Sequence, residues 1–193
     1  MPAIWEVIVT TVSPAGDVHI APMGVREEAD FVLLQPFRPS MTLENVLKTG
    51  RAVVNYTDDV RVFAGCLTGR REWATVPAGV VEGCRLEASL AHRELTLERI
   101  EDDEMRPRLW CRSIAFESHA PFRGFNRAQA SVLEAAILVS RLHMLPPEKV
   151  EAEVKYLAIG VSKTAGRAEL EAWGWLMERI ETHQKRGRTE VAE

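Results

Sequence analysis

The chain has 193 residues, 46% of them hydrophobic, so it is long and apolar enough to bury the core of an ordinary domain. Its formal net charge is −4, with 24 basic against 28 acidic residues, which gives no reason to expect nucleic acid or an anionic membrane as a partner. The three cysteines are widely spaced, which excludes a disulfide framework and a Cys-x-x-Cys site, and the lack of a signal peptide or a long apolar run predicts a soluble, cytoplasmic protein.

The first segments of the chain predict an antiparallel hairpin. Residues 4–12 are dense in β-branched and aromatic side chains and predict a strand, and turn chemistry at 13–17 leads into a returning strand at 18–25. Pro22 and Gly24 interrupt that second strand. The interruption favours an edge or bulge where main-chain groups face a ligand, although a sheet edge that proline protects from aggregation fits equally well.

The stretch from Pro36 to Asn55 predicts the end of a third strand (31–35), a turn, a short helix and a new strand. Ser40 or Thr42 caps the helix, which runs to about residue 48 before a glycine stops it. A hydroxyl-bearing turn that opens a helix suits a phosphate, because the N-terminal amides and the helix dipole favour an anion. An ordinary capped helix between two strands is the alternative interpretation.

The rest of the chain predicts more antiparallel sheet and then helices. The sheet-rich part indicates a barrel or closed sheet, and the three final helices indicate a helical appendage. The predicted elements are a strand at 51–56, a short helix at 60–68, an irregular segment or weak edge strand at 75–83, strands within 85–100 and at 108–116, and helices at 126–143, 148–159 (ended by Gly160) and 167–183.

Recognised catalytic motifs are absent from the sequence. The five histidines show no i,i+4 or His-x-His spacing and no adjacent cysteine, which disfavours a metal site. No P-loop, Gly-x-Ser-x-Gly or Gly-x-Gly-x-x-Gly motif occurs. His119 has the chemistry for acid or base catalysis, but a lone loop histidine is more often merely exposed or capping.

Four segments together resemble the FMN-binding split-barrel superfamily, which includes pyridoxamine-phosphate oxidase-like proteins and small flavin reductases. They are His19-Ile-Ala-Pro-Met-Gly-Val25, Pro36-Phe-Arg-Pro-Ser-Met-Thr-Leu-Glu-Asn45, Ala52-Val-Val-Asn-Tyr56 and the segment from Phe122 to Ile137. The last segment narrows the resemblance to a branch found in methanogenic archaea and in bacteria that use tetrahydromethanopterin for one-carbon metabolism. The resemblance covers nearly the whole chain.

The resemblance implies a mainly β (α+β) fold, a homodimer, and FMN in a groove at the subunit interface. The domain organisation we expect is a six-stranded antiparallel split β-barrel in residues 1–124, a three-helix C-terminal subdomain in 125–187 and a frayed tail in 188–193. A nicotinamide or another small molecule is the implied redox partner, and neither nucleic acid nor a membrane is implied.

The FMN contacts implied by the resemblance fall into four groups. They are Ser40 and Thr42 at the phosphate turn, with Asn45 one helical turn beyond; the main chain of Ala21, Pro22, Met23 and Gly24 along the isoalloxazine; Phe37, Arg38 and Asn55 near the flavin; and Arg127 from the partner subunit. Many relatives place aspartate immediately before the threonine, whereas this chain has Met41. The resemblance assigns no catalytic residue and no metal ligand.

The function implied is that of an FMN-binding protein, in the first instance a flavin-dependent oxidoreductase, in which the flavin carries the electrons and the protein orients it. A non-catalytic FMN carrier, sensor or assembly protein, with a link to one-carbon metabolism, is the alternative. A split-barrel dimer with an empty groove is the third reading.

Overall fold

The computed structural model describes residues 3–190. Within them, six strands close into an antiparallel barrel in the order β1-β2-β3-β8-β7-β4, and β5 and β6 form a separate two-stranded sheet. This confirms the predicted six-stranded antiparallel split barrel. The elements are β1 (Ile4–Val12), β2 (Val18–Glu28), β3 (Phe31–Leu34), α1 (Met41–Thr49), β4 (Arg51–Tyr56), α2 (Val60–Leu67), β5 (Thr75–Pro77), β6 (Cys84–Leu86), β7 (Ala91–Glu101), β8 (Arg108–Ser118), α3 (Arg127–Ser140), a 3₁₀ turn (Leu142–Met144), α4 (Pro147–Thr164) and α5 (Arg167–Glu190).

The interior of the barrel is filled by alternating residues of its strands. Val7 and Val9 of β1, Val54 of β4 and Leu95 of β7 belong to one buried apolar cluster. Residues that alternate with these, such as Ile8, therefore point outward. Helix α1 adds Leu43 and Val46 to the same cluster, because its apolar side chains recur at helical spacing.

The chain forms two compact units. One comprises the chain up to Asp58 and Glu72–Phe122; the other comprises Asp59–Arg71 and the chain from Arg123 onward. The second unit has its own apolar core, to which α2 contributes Val60 and Ala64 alongside residues of α3 and α5. Helix α2 thus groups with the C-terminal helices although it follows a barrel strand directly in sequence.

Helix α4 does not end at Gly160 as predicted but continues to Thr164. A Cβ atom at Gly160 would lie 2.4 Å from Ser131 Oγ and 3.2 Å from the Arg127 carbonyl oxygen. The glycine therefore permits close packing of α4 against α3 and does not stop the helix.

The other helix ends also differ from the predictions. Helix α3 ends at Ser140, where a 3₁₀ turn follows, and α5 extends beyond the predicted end at 183 to Glu190. The expected frayed tail therefore overlaps α5 at residues 188–190, and residues 191–193 lie outside the described part of the chain. Among the described helices, none combines the length and the apolar character that a bilayer-spanning segment requires.

Candidate functional site

The turn before α1 has the geometry of a side-chain-capped helix start, which both interpretations of this stretch predict. Of the two candidate caps, Ser40 takes the role: its backbone is extended, and its Oγ accepts a hydrogen bond of 3.3 Å from the Leu43 amide. At the other end, Gly50 adopts a left-handed conformation (φ 69°), and its N–H donates to Val46 O, as a helix C-terminal glycine commonly does. Met41, the first helical residue, is 50% exposed.

Arg38 provides an accessible positive charge two residues before the cap. Its backbone N–H donates to Met105 O at 2.8 Å, which fixes the turn against the β7–β8 loop. Its guanidinium forms an ion pair of 3.0 Å with Asp102, and both side chains are well exposed. Because exposed ion pairs contribute little to stability, this guanidinium can turn to another anion at small cost.

A second cation, Arg106, lies beside the same turn and was not among the residues predicted from the sequence. The Arg106 guanidinium donates to Gln35 O at 3.0 Å and lies 4.5 Å from the centroid of the Phe37 ring. Phe37 itself is 60% exposed. No sequence signal links the two residues, because they meet only through the pairing of β3 with β8.

The stretch from Ala21 to Gly24 lies on an open edge, which both interpretations of Pro22 allow. This part of β2 pairs with β1, whereas β3 pairs with β2 only at Arg26–Glu28 in the described residues. The close approach expected at Gly24 is made by Ile4 of the neighbouring strand, whose Cγ2 would lie 2.8 Å from an added Cβ.

Two of the predicted cofactor contacts, both in α1, are buried. Thr42 and Asn45 are each 2% exposed, and Asn45 Nδ2 donates to Thr11 Oγ1 at 3.1 Å. Little of either side chain is available to a ligand, so a direct contact with phosphate stays a prediction for both residues.

Asn55 has no exposed surface, and its hydrogen bonds are made inside the protein. Its Nδ2 lies within hydrogen-bond distance of Ile8 O (3.1 Å) and Thr10 Oγ1 (3.2 Å), and its Oδ1 accepts from the Leu86 amide at 2.7 Å. The structure therefore gives Asn55 the role of joining β1, β4 and β6, and it can support a ligand site only through the strands that it holds.

Arg127 is the exposed first residue of α3, in the helical unit.

Tyr56, next to Asn55, is expected to titrate late. Its hydroxyl donates to Glu27 Oε1 at 2.5 Å, and burial, followed by this bond, raises its pKa from 10.0 to about 12. Because the folded pKa exceeds the unfolded one, the protonated Tyr56 hydroxyl stabilises the folded state. This contribution is complete below pH 10 and is lost as the pH rises through about 12. Phenolate absorbance should show a late step that Tyr56→Phe removes; a late step that survives in Tyr56→Phe would contradict the assignment.

The sequence matches family models along most of its length. Residues 5–120 match the model described as "Protein of unknown function (DUF447) N-terminal domain", and residues 126–178 match "Protein of unknown function (DUF447)". No curated protein matches the chain.

Solved structures share the fold. The FMN-bound protein MM1853 from Methanosarcina mazei has a TM-score of 0.78 and 21% identity, covering 93% of this chain and 96% of its own. The Pseudomonas fluorescens 2-nitrobenzoate 2-nitroreductase NbaA has a TM-score of 0.52 and 17% identity, covering 62% and 66%. Nitrilotriacetate monooxygenase component B from Bacillus cereus has a TM-score of 0.52 and 19% identity, covering 67% and 77%.

At these identities the structural likeness establishes the fold alone, a split barrel, and the predicted resemblance to proteins of that fold is confirmed. The first family model alone spans more than half of the sequence, and the chain therefore belongs to the DUF447 family.

Proposed function

We propose that this protein binds FMN and uses it as a flavin-dependent oxidoreductase. The observation that carries the proposal is the turn before α1, where a serine-capped helix start and an accessible arginine face solvent together. The turn lies on a barrel of the same fold as MM1853, whose structure contains FMN. The phosphate binds at Ser40 and Arg38, and the isoalloxazine lies along the open edge from Ala21 to Gly24.

The phosphate contacts alone do not account for tight binding. Each charge-assisted hydrogen bond contributes about 1.5–3 kcal/mol, whereas micromolar affinity needs about 8 kcal/mol. Two or three such bonds fall short once ordering costs are subtracted, so burial of the ring system supplies the remainder. Phe37 and Met41, which are both at least half exposed beside the turn, provide apolar surface for that purpose.

We further propose a homodimer in which the flavin lies between subunits and the partner's Arg127 completes the site. Several large apolar side chains of the barrel unit are more than half exposed and are therefore available to an interface. They include Ile4, Trp5, Met105, Phe116 and Phe122. An interface that covers part of this surface would also enclose the ring, as ligand sites generally require.

Reduction of the bound flavin tests the catalytic part of the proposal. We expect that NADH or NADPH, added anaerobically to the FMN-loaded protein, bleaches the flavin absorbance. Bleaching by dithionite but by neither nicotinamide would contradict a nicotinamide-driven reductase. It would favour the alternative of a non-catalytic FMN carrier or sensor.

A further inference from the structure

A buried histidine lies on the outer face of the barrel, away from the phosphate turn. His92 of β7 is 1% exposed and pairs across the sheet with Asn55 on one side and Glu117 on the other. Directly paired residues share a face of a sheet, so Glu117 lies beside His92. His119, two residues after Glu117, approaches the same place.

One ring nitrogen of His92, Nε2, lies beside a carboxylate. Glu94 Oε1 lies 3.1 Å from His92 Nε2, and the Glu94 carboxylate also accepts hydrogen bonds of 2.6–2.8 Å from three backbone amides at residues 79–81. Both Glu94 oxygens accept hydrogen bonds from backbone amides, so the His92 nitrogen that faces them is the one that carries the proton. The lone pair of His92 is therefore on Nδ1.

That lone pair points at a second imidazole. His119 Nε2 lies 2.9 Å from His92 Nδ1. The His119 side chain is 17% exposed and that of Glu117 is 66% exposed, so the cluster is open to solvent on one side.

We propose that His92, His119 and Glu117 form a binding site for a divalent transition-metal ion of the zinc class. One donor atom from each residue lies within 4.8 Å of the other two. Zinc binds imidazole nitrogen and carboxylate oxygen at about 2.0–2.2 Å. Tetrahedral coordination places two ligand atoms about 3.3 Å apart, so the two histidine nitrogens need to separate by a few tenths of an ångström and the rings need to turn toward a common point. The exposed Glu117 reaches the ion by rotating its side chain.

Two further features of the cluster match those of metal sites. A histidine ligand usually donates its other ring N–H to a carboxylate, which fixes the tautomer; Glu94 occupies that position. Two carboxylates, those of Glu94 and Glu117, lie beside the histidines and favour a cation, although the charge of Arg85 also acts on His119. Three protein ligands leave a fourth position for water or a substrate oxygen, the arrangement found in catalytic zinc sites.

In the sequence, the spacing of the histidines and cysteines along the chain disfavoured a metal site. His92 and His119 are 27 residues apart in the chain and meet only because β7 and β8 form a hairpin. None of the three proposed ligands is among the residues assigned to FMN, although His92 pairs in the sheet with Asn55.

Metal titration of the full chain tests the proposal. After chelator treatment and dialysis, Zn²⁺ should bind with one equivalent per chain in calorimetry, and Co²⁺ should develop the intense visible absorption of a low-coordinate N/O site. His119→Ala should weaken Zn²⁺ affinity at least tenfold and abolish the Co²⁺ bands. Glu117→Gln, at an exposed position that leaves the fold intact, should weaken affinity by about 10- to 100-fold.

The matched control is His143→Ala, at an exposed histidine of the helical unit, which should leave both readings unchanged. The proposal is overturned if Co²⁺ keeps the pale spectrum of its aqua ion. It is equally overturned if Zn²⁺ binding survives in both His119→Ala and Glu117→Gln. In either case the two imidazoles share a proton in a direct hydrogen bond.

Discussion

Replacing Glu94 with glutamine is expected to lower the free energy of unfolding of the barrel unit by about 2–4 kcal/mol. The Glu94 carboxylate is 2% exposed and accepts from the amides of Gly79, Val80 and Val81. Whichever way the new amide group turns, its NH₂ meets at least one backbone N–H donor that then lacks an acceptor. The cost follows because buried donors without partners are expensive.

Urea denaturation and amide hydrogen exchange together measure this effect. The urea midpoint should fall, and exchange at Val80 and Val81 should accelerate more than exchange in the helical unit. Glu87→Gln, an exposed substitution nearby in the chain, should change stability by no more than about 0.5 kcal/mol. Equal midpoints for Glu94→Gln and the wild-type protein would show that this carboxylate does not hold residues 79–81.

Replacing Arg38 with glutamine is expected to weaken FMN binding by roughly 10- to 100-fold, the equivalent of one charge-assisted hydrogen bond. The variant should fold normally, because the Arg38 side chain is well exposed and its ion pair with Asp102 lies at the surface. Its effect should be specific to the phosphate. Affinity for riboflavin, which lacks the phosphate, should therefore stay within about twofold of the wild-type value.

Asp102→Asn is the matched control for Arg38. It removes the same ion pair but keeps the guanidinium, which no longer has the Asp102 carboxylate as a competitor, so FMN affinity should be unchanged or higher. Fluorescence quenching of free FMN and riboflavin provides all of the affinities. If Arg38→Gln weakens both flavins equally, or neither, Arg38 does not contact the phosphate.

The barrel could be predicted from the sequence because its strands have local signals. Residues 4–12 and 18–25 show β-branched density on either side of a turn, and the structure places β1 and β2 there. The helix at 41–49 was predictable from its caps, since Ser40 and Gly50 are typical of the two ends. In each case the residues of one short segment are enough to predict the strand or helix.

The placement of α2 could not be predicted, although the helix itself could. The apolar face of residues 60–67 indicates that the helix is buried, but periodicity does not show against which partner. Gly160 illustrates the same limit, since glycine is common both after a helix and where two helices pack closely. Only the distance to Ser131 Oγ distinguishes the two roles.

The residues of the candidate sites also differ in whether the sequence alone could identify them. Ser40 and Arg38 are close in sequence and could be associated with a phosphate from the turn alone. Asn55 belongs to a matching motif, yet its side chain is used inside the protein, which a motif cannot reveal. The contact of Arg106 with Phe37 and that of His92 with His119 depend on strand pairing between distant segments.

The central claim is that the turn before α1 binds the phosphate of a flavin. Calorimetric titration of the purified protein with FMN and with riboflavin measures it most directly. We predict one FMN bound per chain, with an affinity at least tenfold higher than that for riboflavin. Failure to bind FMN, or equal affinity for the two flavins, would contradict the claim.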